Sequence, residues 1–423
     1  MLFSPLVTIS VLPDDALLEV FKFYVDQFHH EDAWHLLVHV CRRWRCLVFA
    51  SPRWLHLELR CTNRSPVKKM LDIWPAFPIV INASIGATQR WGLNNIVAAL
   101  KRHNLVCRIT IGDVSDSLLK SGVMKKRFSK LTHLVLRSFE ENVPVIPDSF
   151  LDGSAPRLRV LHFRRIPFPF PALGKLLLSA TNLVTLLLED IPKLGYISSK
   201  RITRVLPSLT MLRHFSIGYR FPRSHADRSR QHPPLLKRLV LPSLTEFSFK
   251  GDSEYLENIV GRIDTPSLES VNITFFNQLI FSTPLLRDFF SRTTIPQEPH
   301  RAEIWFFGYH IDICLFQRER SAACHMLKVV LLSRVPEWQL SSMAEFCSTS
   351  LPPLPTLERL RIVAPRPTAD LPRDMESSQW LELVRSFVTV KDLDLSIRVP
   401  EEVVTALREL TGSTVTQKLS SAL

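Results

Sequence analysis

A chain of 423 residues is long enough for two or three ordinary domains, or for one small domain followed by an elongated array of repeats. Hydrophobic residues at 46% and charged residues at 22% exclude wholesale disorder and predict a sizeable core. The net charge of +13 favours contact with anionic partners, whereas 12 glycines against 30 prolines disfavour dinucleotide binding through glycine-rich loops.

Residues 1–10, "MLFSPLVTIS", form an apolar leader that lacks the basic start and the small-residue cleavage site of a secretion signal. The leader is too short to cross a bilayer, and no other stretch holds about 18 consecutive uncharged apolar residues. The seven cysteines are odd in number and form no C-x-x-C pair, which indicates reduced thiols. These features predict a cytoplasmic or nuclear protein with no membrane partner.

The first predicted helix begins in "VLPDDALLEVFKFYV" (11–25). Pro13 lacks an N–H where a helical N–H has no partner, and Asp14 and Asp15 place negative charge at the positive end of the helix dipole. Apolar residues then recur at three- and four-residue spacing: Leu17, Leu18, Phe21, Val25 and Phe28. One short helix cannot bury this stripe alone, so we expect a neighbouring helix or a partner protein to cover it.

A second helical stretch covers residues 31–54, where Pro52 ends the run. Its apolar face has a period of 3.6 and consists of Leu37, Val40, Cys41, Trp44, Leu47 and Val48. Two or three helices of this length form only a marginal bundle, so we expect the bundle to lean on another part of the molecule.

From residue 55 the sequence alternates between strands and helices. Alternating or continuous apolar runs predict strands over 54–60, 77–84 and 106–113. Periodic runs between them predict helices over 67–74 and 91–103. This alternation indicates an α/β fold class.

The short template L-x-x-L-x-L, with other apolar residues at some positions, recurs at steps of about 24 to 33 residues. Its copies are Leu131-Leu134-Leu136, Leu158-Leu161-Phe163, Leu183-Leu186-Leu188, Leu212-Phe215-Ile217, Leu244-Phe247-Phe249, Leu268-Val271-Ile273, Leu327-Val330-Leu332, Leu357-Leu360-Ile362 and Val390-Leu393-Leu395. One step is about twice as long, which predicts an irregular unit around 301–316. The period is typical of leucine-rich repeats in an irregular solenoid, with parallel strands and helical returns. An α/β sheet whose buried strands are merely rich in leucine stays open as the alternative.

Two stretches together, "VLPDDALLEVF" and "VHVCRRWRCLVFASPRWLHLEL", resemble the F-box family. That family begins with Leu-Pro and a leucine-rich helix, and it closes with a helix of Val-x-Arg-x-Trp type. The chain looks most like the F-box-like proteins that are abundant in mushroom-forming fungi, whose C-terminal parts carry degenerate leucine-rich repeats. The resemblance implies three short helices, with a break in the second stretch near residues 39–41.

The resemblance also implies a function, that of the substrate-recognition subunit of an SCF-type (cullin-RING) ubiquitin ligase. In that family the F-box binds a Skp-type adaptor, which links it to cullin and RING subunits, and the repeats hold a protein substrate. Matched by position, the adaptor-binding residues are Leu12, Pro13, Leu17, Leu18, Phe21, Val40, Cys41, Trp44 and Leu47. We expect Trp44 to be the largest anchor of that interface.

The expected substrate surface is the strand face that lies between the leucine anchors. Its candidate residues are His133, His162, Thr185 and His214. No catalytic residue, metal ligand or cofactor is predicted, because the sequence lacks G-x-S-x-G, P-loop and G-x-G-x-x-G motifs. His35 and His39 are four residues apart, but no H-E-x-x-H frame surrounds them.

An alternative function rests on the basic loop 219–238, in which six basic residues face one aspartate. They are Arg220, Arg223, Arg228, Arg230, Lys237 and Arg238, with Asp227. In this alternative the chain is a non-catalytic scaffold that binds nucleic acid or an anionic surface, and the N-terminal helices only cap the repeats. Nucleic acid is the less favoured partner, because no ladder of stacking aromatic residues accompanies the loop.

The predicted organisation has four parts. They are a leader (1–10), an F-box-like helical domain (11–54), a degenerate leucine-rich-repeat domain (55–410) and a C-terminal tail (411–423).

Overall fold

The computed structural model is a mixed α/β structure whose strands are mostly parallel, as the alternation in the sequence predicts. It describes residues 9–27, 33–52, 54–55, 57–62, 64, 66–83, 90–139, 145–222, 238–276, 283–293, 299–317, 325–333, 337–363, 377–396, 404–405 and 414–417. The chain forms two compact units. Unit 1 is Met1–Asn142 with Ser149–Arg157, and unit 2 is Val143–Asp148 with Leu158–Leu423.

Unit 1 contains the N-terminal helices and four strands. In chain order its elements are α1 (Asp14–Gln27), α2 (Ala33–Val40), α3 (Arg42–Ala50), β1 (Leu59–Thr62), α4 (Val67–Ile73), β2 (Ile79–Ala83), α5 (Arg90–Leu100), β3 (Val106–Ile111), α6 (Asp116–Lys120) and β4 (His133–Arg137). The four strands pair in chain order and all in parallel. Parallel neighbours need a crossover connection, and α4, α5 and α6 lie within those connections.

The second predicted helical run is broken at Cys41, which agrees with the break that the F-box resemblance implies. Cys41 has an extended backbone and caps α3, because its Sγ accepts the backbone N–H of Trp44 at 3.5 Å. An extended residue cannot continue the helical hydrogen-bond ladder, so α2 and α3 are separate helices.

The N-terminal helices are fastened to the rest of unit 1 by aromatic side chains. Trp34 on α2 lies with its ring centroid 5.4 Å from that of Trp74 and 5.5 Å from that of Phe77. Phe49 on α3 lies 5.9 Å from both of the same rings. Residues on both sides of the predicted boundary between 54 and 55 belong to unit 1, and this cluster joins them.

Unit 2 holds the remaining elements. They are β5 (Val160–Arg164), α7 (Phe170–Ser179), β6 (Thr185–Ile191), α8 (Ser199–Val205), β7 (His214–Tyr219), β8 (Leu239–Val240), β9 (Glu246–Gly251), α9 (Ser253–Val260), β10 (Ile263–Asp264), β11 (Ser270–Phe275), α10 (Pro284–Arg292), β12 (Arg301–Phe307), β13 (His310–Phe316), β14 (Leu327–Leu332), α11 (Glu337–Ser350), β15 (Arg359–Val363), α12 (Ser377–Arg385), β16 (Asp392–Ser396) and β17 (Thr414–Gln417). The strand order is β5-β6-β7-β9-β11-β14-β13-β12-β15-β16-β17, and β8 pairs separately with β10.

The irregular unit predicted around 301–316 is a β-hairpin. Its strands β12 and β13 pair antiparallel, β13 also pairs antiparallel with β14, and β12 pairs in parallel with β15. The hairpin explains the doubled repeat step, because it adds two strands without a leucine template. At the other end, β17 pairs in parallel with β16, so strand pairing continues past residue 410, where we predicted a tail.

The leucine templates mark the strands correctly, and eight of the nine bury all three anchor side chains. The exception is β14, where Val330 and Leu332 are only half-buried and Val329 and Leu331 are buried in their place. The predicted positions in β14 were therefore wrong by one residue, although Leu327 is buried as expected. Both faces of this strand are largely apolar, so only its pairing with β11, which sets Val329 opposite Ile273, selects the inner face.

Glutamate 257 on α9 caps the start of the neighbouring helix α10. Its Oε2 accepts the N–H of Leu285 at 2.9 Å and its Oε1 accepts the N–H of Leu286 at 2.7 Å. Burial raises the pKa of Glu257 despite these hydrogen bonds. The carboxylate supplies acceptors that the first turn of α10 cannot find within its own helix.

We expect Glu257→Ala to lower the free energy of unfolding by about 1–3 kcal/mol, because the first N–H groups of α10 lose their acceptors inside the structure. Chemical denaturation measures the change. Glu254→Ala, on the exposed side of the same helix, is the control and should leave stability near the native value. Equal losses in both variants would show that the cap contributes nothing specific.

Candidate functional site

The N-terminal helices keep several large apolar side chains exposed to solvent. This set, the N-terminal apolar surface, consists of Val11, Leu12, Val20, Phe23, Leu36 and Val40. Phe23 is 67% exposed and Val40 is 59% exposed, so neither has found a place in the core of its own chain. Exposed apolar groups in such numbers on one small bundle are typical of protein interaction surfaces.

Arg43, near the start of α3, is hydrogen-bonded to residues at the start of α1. The Nη2 of Arg43 on α3 donates to the carbonyl oxygen of Leu12 and to Oδ1 of Asp14, both at 2.6 Å. Its Nε donates to the same aspartate oxygen at 3.0 Å. Arg43 is the second residue of α3, so the bridge links the start of α3 to the start of α1. Four predicted adaptor residues at these two places are exposed: Leu12, Pro13, Val40 and Cys41.

Two predicted adaptor residues need correction. Leu17 and Phe21 are 0% exposed, so they hold α1 against the other helices and offer no surface to a partner. Trp44, predicted as the largest anchor, is half-buried, and its ring centroid lies 4.6 Å from that of Phe21. Leu18 and Leu47 are also half-buried. The stripe that defined the helix in the sequence is therefore mainly its inner face.

The prediction missed four exposed members of the surface, namely Val11, Val20, Phe23 and Leu36. Val20 and Phe23 are three residues apart on α1, and Leu36 and Val40 are four apart on α2, so each pair shares one side of its helix. The sequence did contain a signal for the residues on α1 and α2, since each short helix is apolar on a second side. A helix that is apolar on more than one side is normally covered on each of those sides.

The strand face of unit 2 carries polar side chains between the buried anchors. Thr185 and His214 occupy paired positions on β6 and β7, and Glu246 pairs next to them on β9. The His214 Nδ1 lies 3.4 Å from the Thr185 hydroxyl, and its Nε2 lies 3.5 Å from a Glu246 carboxylate oxygen. The structure thus brings together two of the four predicted substrate residues.

The other two predicted substrate residues have different surroundings. His162 is only 9% exposed, and its Nε2 lies 3.1 Å from Oε2 of Glu189, so it contributes to this face by holding that carboxylate. The hydrogen bond with His162, opposed in part by burial, holds the pKa of Glu189 below its usual value. His133 belongs to unit 1, where its Nδ1 lies 2.8 Å from the Thr132 hydroxyl.

The prediction missed a group of charged residues where β5 and β6 end, which we call the cation cluster: Arg164, Arg165, Asp190 and Lys250. The Nζ of Lys250 lies 2.8 Å from Oδ1 of Asp190, and the Nε atoms of Arg164 and Arg165 lie 3.4 and 3.9 Å from its Oδ2. Burial alone would raise the pKa of Asp190, but Lys250 and Arg164 outweigh it and hold that pKa below the usual value. The adjacent charges "RR" and "ED" at the ends of two predicted strands were the signal in the sequence.

A second charged group lies on the strands of the hairpin and their neighbour β14. The Nζ of Lys328 lies 2.8 Å from Asp312, and Trp305 donates its indole N–H to Glu303 at 3.0 Å. Despite burial, Asp312 raises the pKa of Lys328. Burial raises the pKa of the neighbouring Cys314 thiol to about 11, so the thiol is protonated at neutral pH and a poor nucleophile.

Some predicted features fall outside the described residues, namely residues 1–8 of the leader and residues 223–237 of the basic loop. Within the described residues, no group of three His, Cys, Asp or Glu side chains is placed to hold a metal ion. The same part of the chain contains no helix with both the length and the apolar character needed to cross a membrane.

No protein-family model matches the chain, and no curated protein sequence matches it. The N-terminal apolar surface and the strand face of unit 2 are therefore the features from which a function is inferred.

We expect Asp190→Asn to destabilise unit 2 at neutral pH and to lose that effect in acid. The folded state lowers the pKa of Asp190, so its stabilisation is present above the ordinary aspartate pKa of about 4 and is lost as pH falls through the lower folded value. Asn is the suitable replacement because it tolerates the positive φ of this position.

Urea denaturation of the native chain and the variant from neutral to acidic pH measures this difference. Asp148→Asn, at an exposed position of the same unit, is the control and should follow the native pH profile. A difference between native and Asp190→Asn chains that does not change with pH would contradict the electrostatic account.

Proposed function

We propose that this chain is the substrate-recognition subunit of an SCF-type ubiquitin ligase. Its N-terminal helices bind a Skp-type adaptor, and its strand-rich region, an irregular leucine-rich-repeat solenoid, binds a protein substrate. The observation that carries the proposal is the N-terminal apolar surface, because it lies on the helices whose sequence resembles an F-box and no described part of the chain covers it.

The energetics favour a protein partner for this surface. Burying apolar area contributes about 25 cal/mol per Å², so covering one large side chain such as Phe23 is worth about 1.5–3 kcal/mol. Leu12, whose carbonyl oxygen is held by Arg43, and Val40 add further exposed apolar area. A preformed apolar surface of this kind is suited to stable binding of another polypeptide.

The N-terminal helices pack firmly against the rest of unit 1, which suits a subunit that orients its partners. Trp34 and Phe49 pack against Trp74 and Phe77, so an adaptor bound to the helices is held firmly to unit 1. In the proposed assembly the partners carry out ubiquitin transfer. This chain contributes proximity and orientation of the substrate, which alone accelerate a bimolecular reaction greatly.

The strand pattern supports the second half of the proposal. Buried leucine-type anchors recur on parallel strands with helices between them, as in leucine-rich repeats. Their outward side chains are charged and polar, and they vary from strand to strand. Such a face can discriminate among protein surfaces by charge and hydrogen bonding.

Co-purification with a recombinant Skp-type adaptor tests the proposal. We expect the native chain to bind and the variant Leu12→Ala with Val40→Glu to bind at least tenfold more weakly, which corresponds to about 1.4 kcal/mol. The reason is that a carboxylate at position 40 would be buried without a partner in the interface.

The matched control is Ile73→Glu. Ile73 is the exposed last residue of α4, just as Val40 is the exposed last residue of α2, so both changes place the same charge at a helix end of unit 1. The control should retain native adaptor binding. Absence of binding by the native chain would refute the proposed function, and equal weakening in both variants would refute the assigned surface.

A further inference from the structure

Three cations converge on one carboxylate in the cation cluster, although they come from two strands, β5 and β9, that are not paired with each other. Arg164 and Arg165 lie at the end of β5, Asp190 lies on β6, and Lys250 reaches it from β9, two strands away. The cluster therefore contains two more positive charges than negative ones. The neighbouring Glu189 is the strand partner of Arg164 and is hydrogen-bonded with His162, so its carboxylate lowers the local excess to one positive charge.

A glycine on the intervening strand makes this arrangement possible. Gly218 on β7 pairs with Lys250, and a Cβ at position 218 would lie 3.2 Å from Cβ of Lys250. Because no side chain stands there, Lys250 can cross β7 to reach Asp190.

The backbone at the cluster is unusual as well. Asp190 has φ +50° and Arg165 has φ +58°, a conformation that residues other than glycine seldom adopt. Residues in such strained conformations concentrate at ligand sites. The hydrogen bond from Arg165 N–H to the Glu189 carbonyl, at 2.9 Å, helps to hold the backbone in place.

The cations remain accessible while the carboxylate is mostly covered. The side chains of Arg164, Arg165 and Lys250 are 44, 33 and 35% exposed, whereas that of Asp190 is 17% exposed. Asp190 thus acts as a positioning residue that orients the three cations. Because three cations share one carboxylate, the cations keep exposed N–H donors that Asp190 does not use.

We propose that the cation cluster binds an oxyanion, a phosphate or a carboxylate, carried by an extended segment of a protein substrate. This inference rests on the proposed function, which supplies the protein substrate. Planar arginine forks and a lysine ammonium are the usual partners of such groups. A phosphomonoester carries about −1.5 to −2 charges and three acceptor oxygens, so it can accept hydrogen bonds from more of the cluster's donors than a carboxylate can.

The surrounding charges favour a peptide over a nucleic acid. Glu189 and Glu246 lie on the same strand face of β6 and β9 as the cluster, and they would repel a chain of phosphates. Nucleic-acid binding needs a continuous basic track and stacking rings. A peptide with a single anion meets less of this repulsion than a chain of phosphates does.

Fluorescence anisotropy with the full-length chain tests the inference. The probes are a degenerate peptide library with one fixed phosphoserine, matched libraries with fixed glutamate and fixed serine, and a short single-stranded RNA. We expect the phosphoserine library to bind most tightly, the glutamate library more weakly, and the serine library at least tenfold more weakly than the first. RNA that binds more tightly than either acidic library would overturn the assignment.

Three variants locate the site. Arg164→Glu and Gly218→Val should each weaken binding of the phosphoserine library at least tenfold. Lys250→Gln removes a charge without reversing it and should have the same effect, so it serves if Arg164→Glu fails to fold. Arg204→Glu, on the exposed side of α8, is the charge-matched control and should bind as the native chain does. Native affinity in Lys250→Gln would refute the site.

The same variants are then assayed for adaptor co-purification, which separates the two proposals. We expect all of them to retain adaptor binding, because the N-terminal apolar surface is unchanged. Loss of peptide binding with adaptor binding intact supports the oxyanion site. A native chain that binds the adaptor but none of the acidic libraries refutes the oxyanion site and leaves the proposed function standing.

Discussion

The two-residue alternation of each strand is the constraint on which the rest of this structure depends. A strand sends successive side chains to opposite faces, so a row of leucine-type anchors commits one face to the core and leaves the other for solvent. In unit 2 the inner positions are filled by residues such as Leu186, Phe215 and Phe247, which stand beside one another across paired strands. The outer positions are then free of any packing requirement and can carry charge.

That freedom explains where the charges of this basic chain lie. On the outer face of unit 2 cations lie beside carboxylates of neighbouring strands, as in Arg361 with Asp394. Such half-exposed pairs add little stability, because water screens them. They do fix long side chains in defined positions, which is what a recognition surface needs. The cation cluster differs from these pairs because three cations share one carboxylate.

In the N-terminal helices, apolar residues occupy both the buried core of the bundle and its exposed sides. Their inner stripe closes a small bundle through Leu17 and Phe21, and Trp34 anchors that bundle to the remainder of unit 1. Apolar residues are left over on the outer sides, at Phe23 and Val40 among others. A chain that needed only to fold would gain solubility from polar residues there. Their presence is the physical basis for proposing a protein partner.

The sequence by itself determined the α/β class, the positions of the repeated strands and the start of the first helix, because these follow from local periodicity and from prolines and acids at element ends. It also located the irregular unit. Only the tertiary structure decided which apolar stripe of α1 is inner, which face of β14 is buried, and that Arg164, Asp190 and Lys250 meet. These outcomes depend on pairing between residues far apart in the chain, and a side chain's burial is set by the partner that covers it.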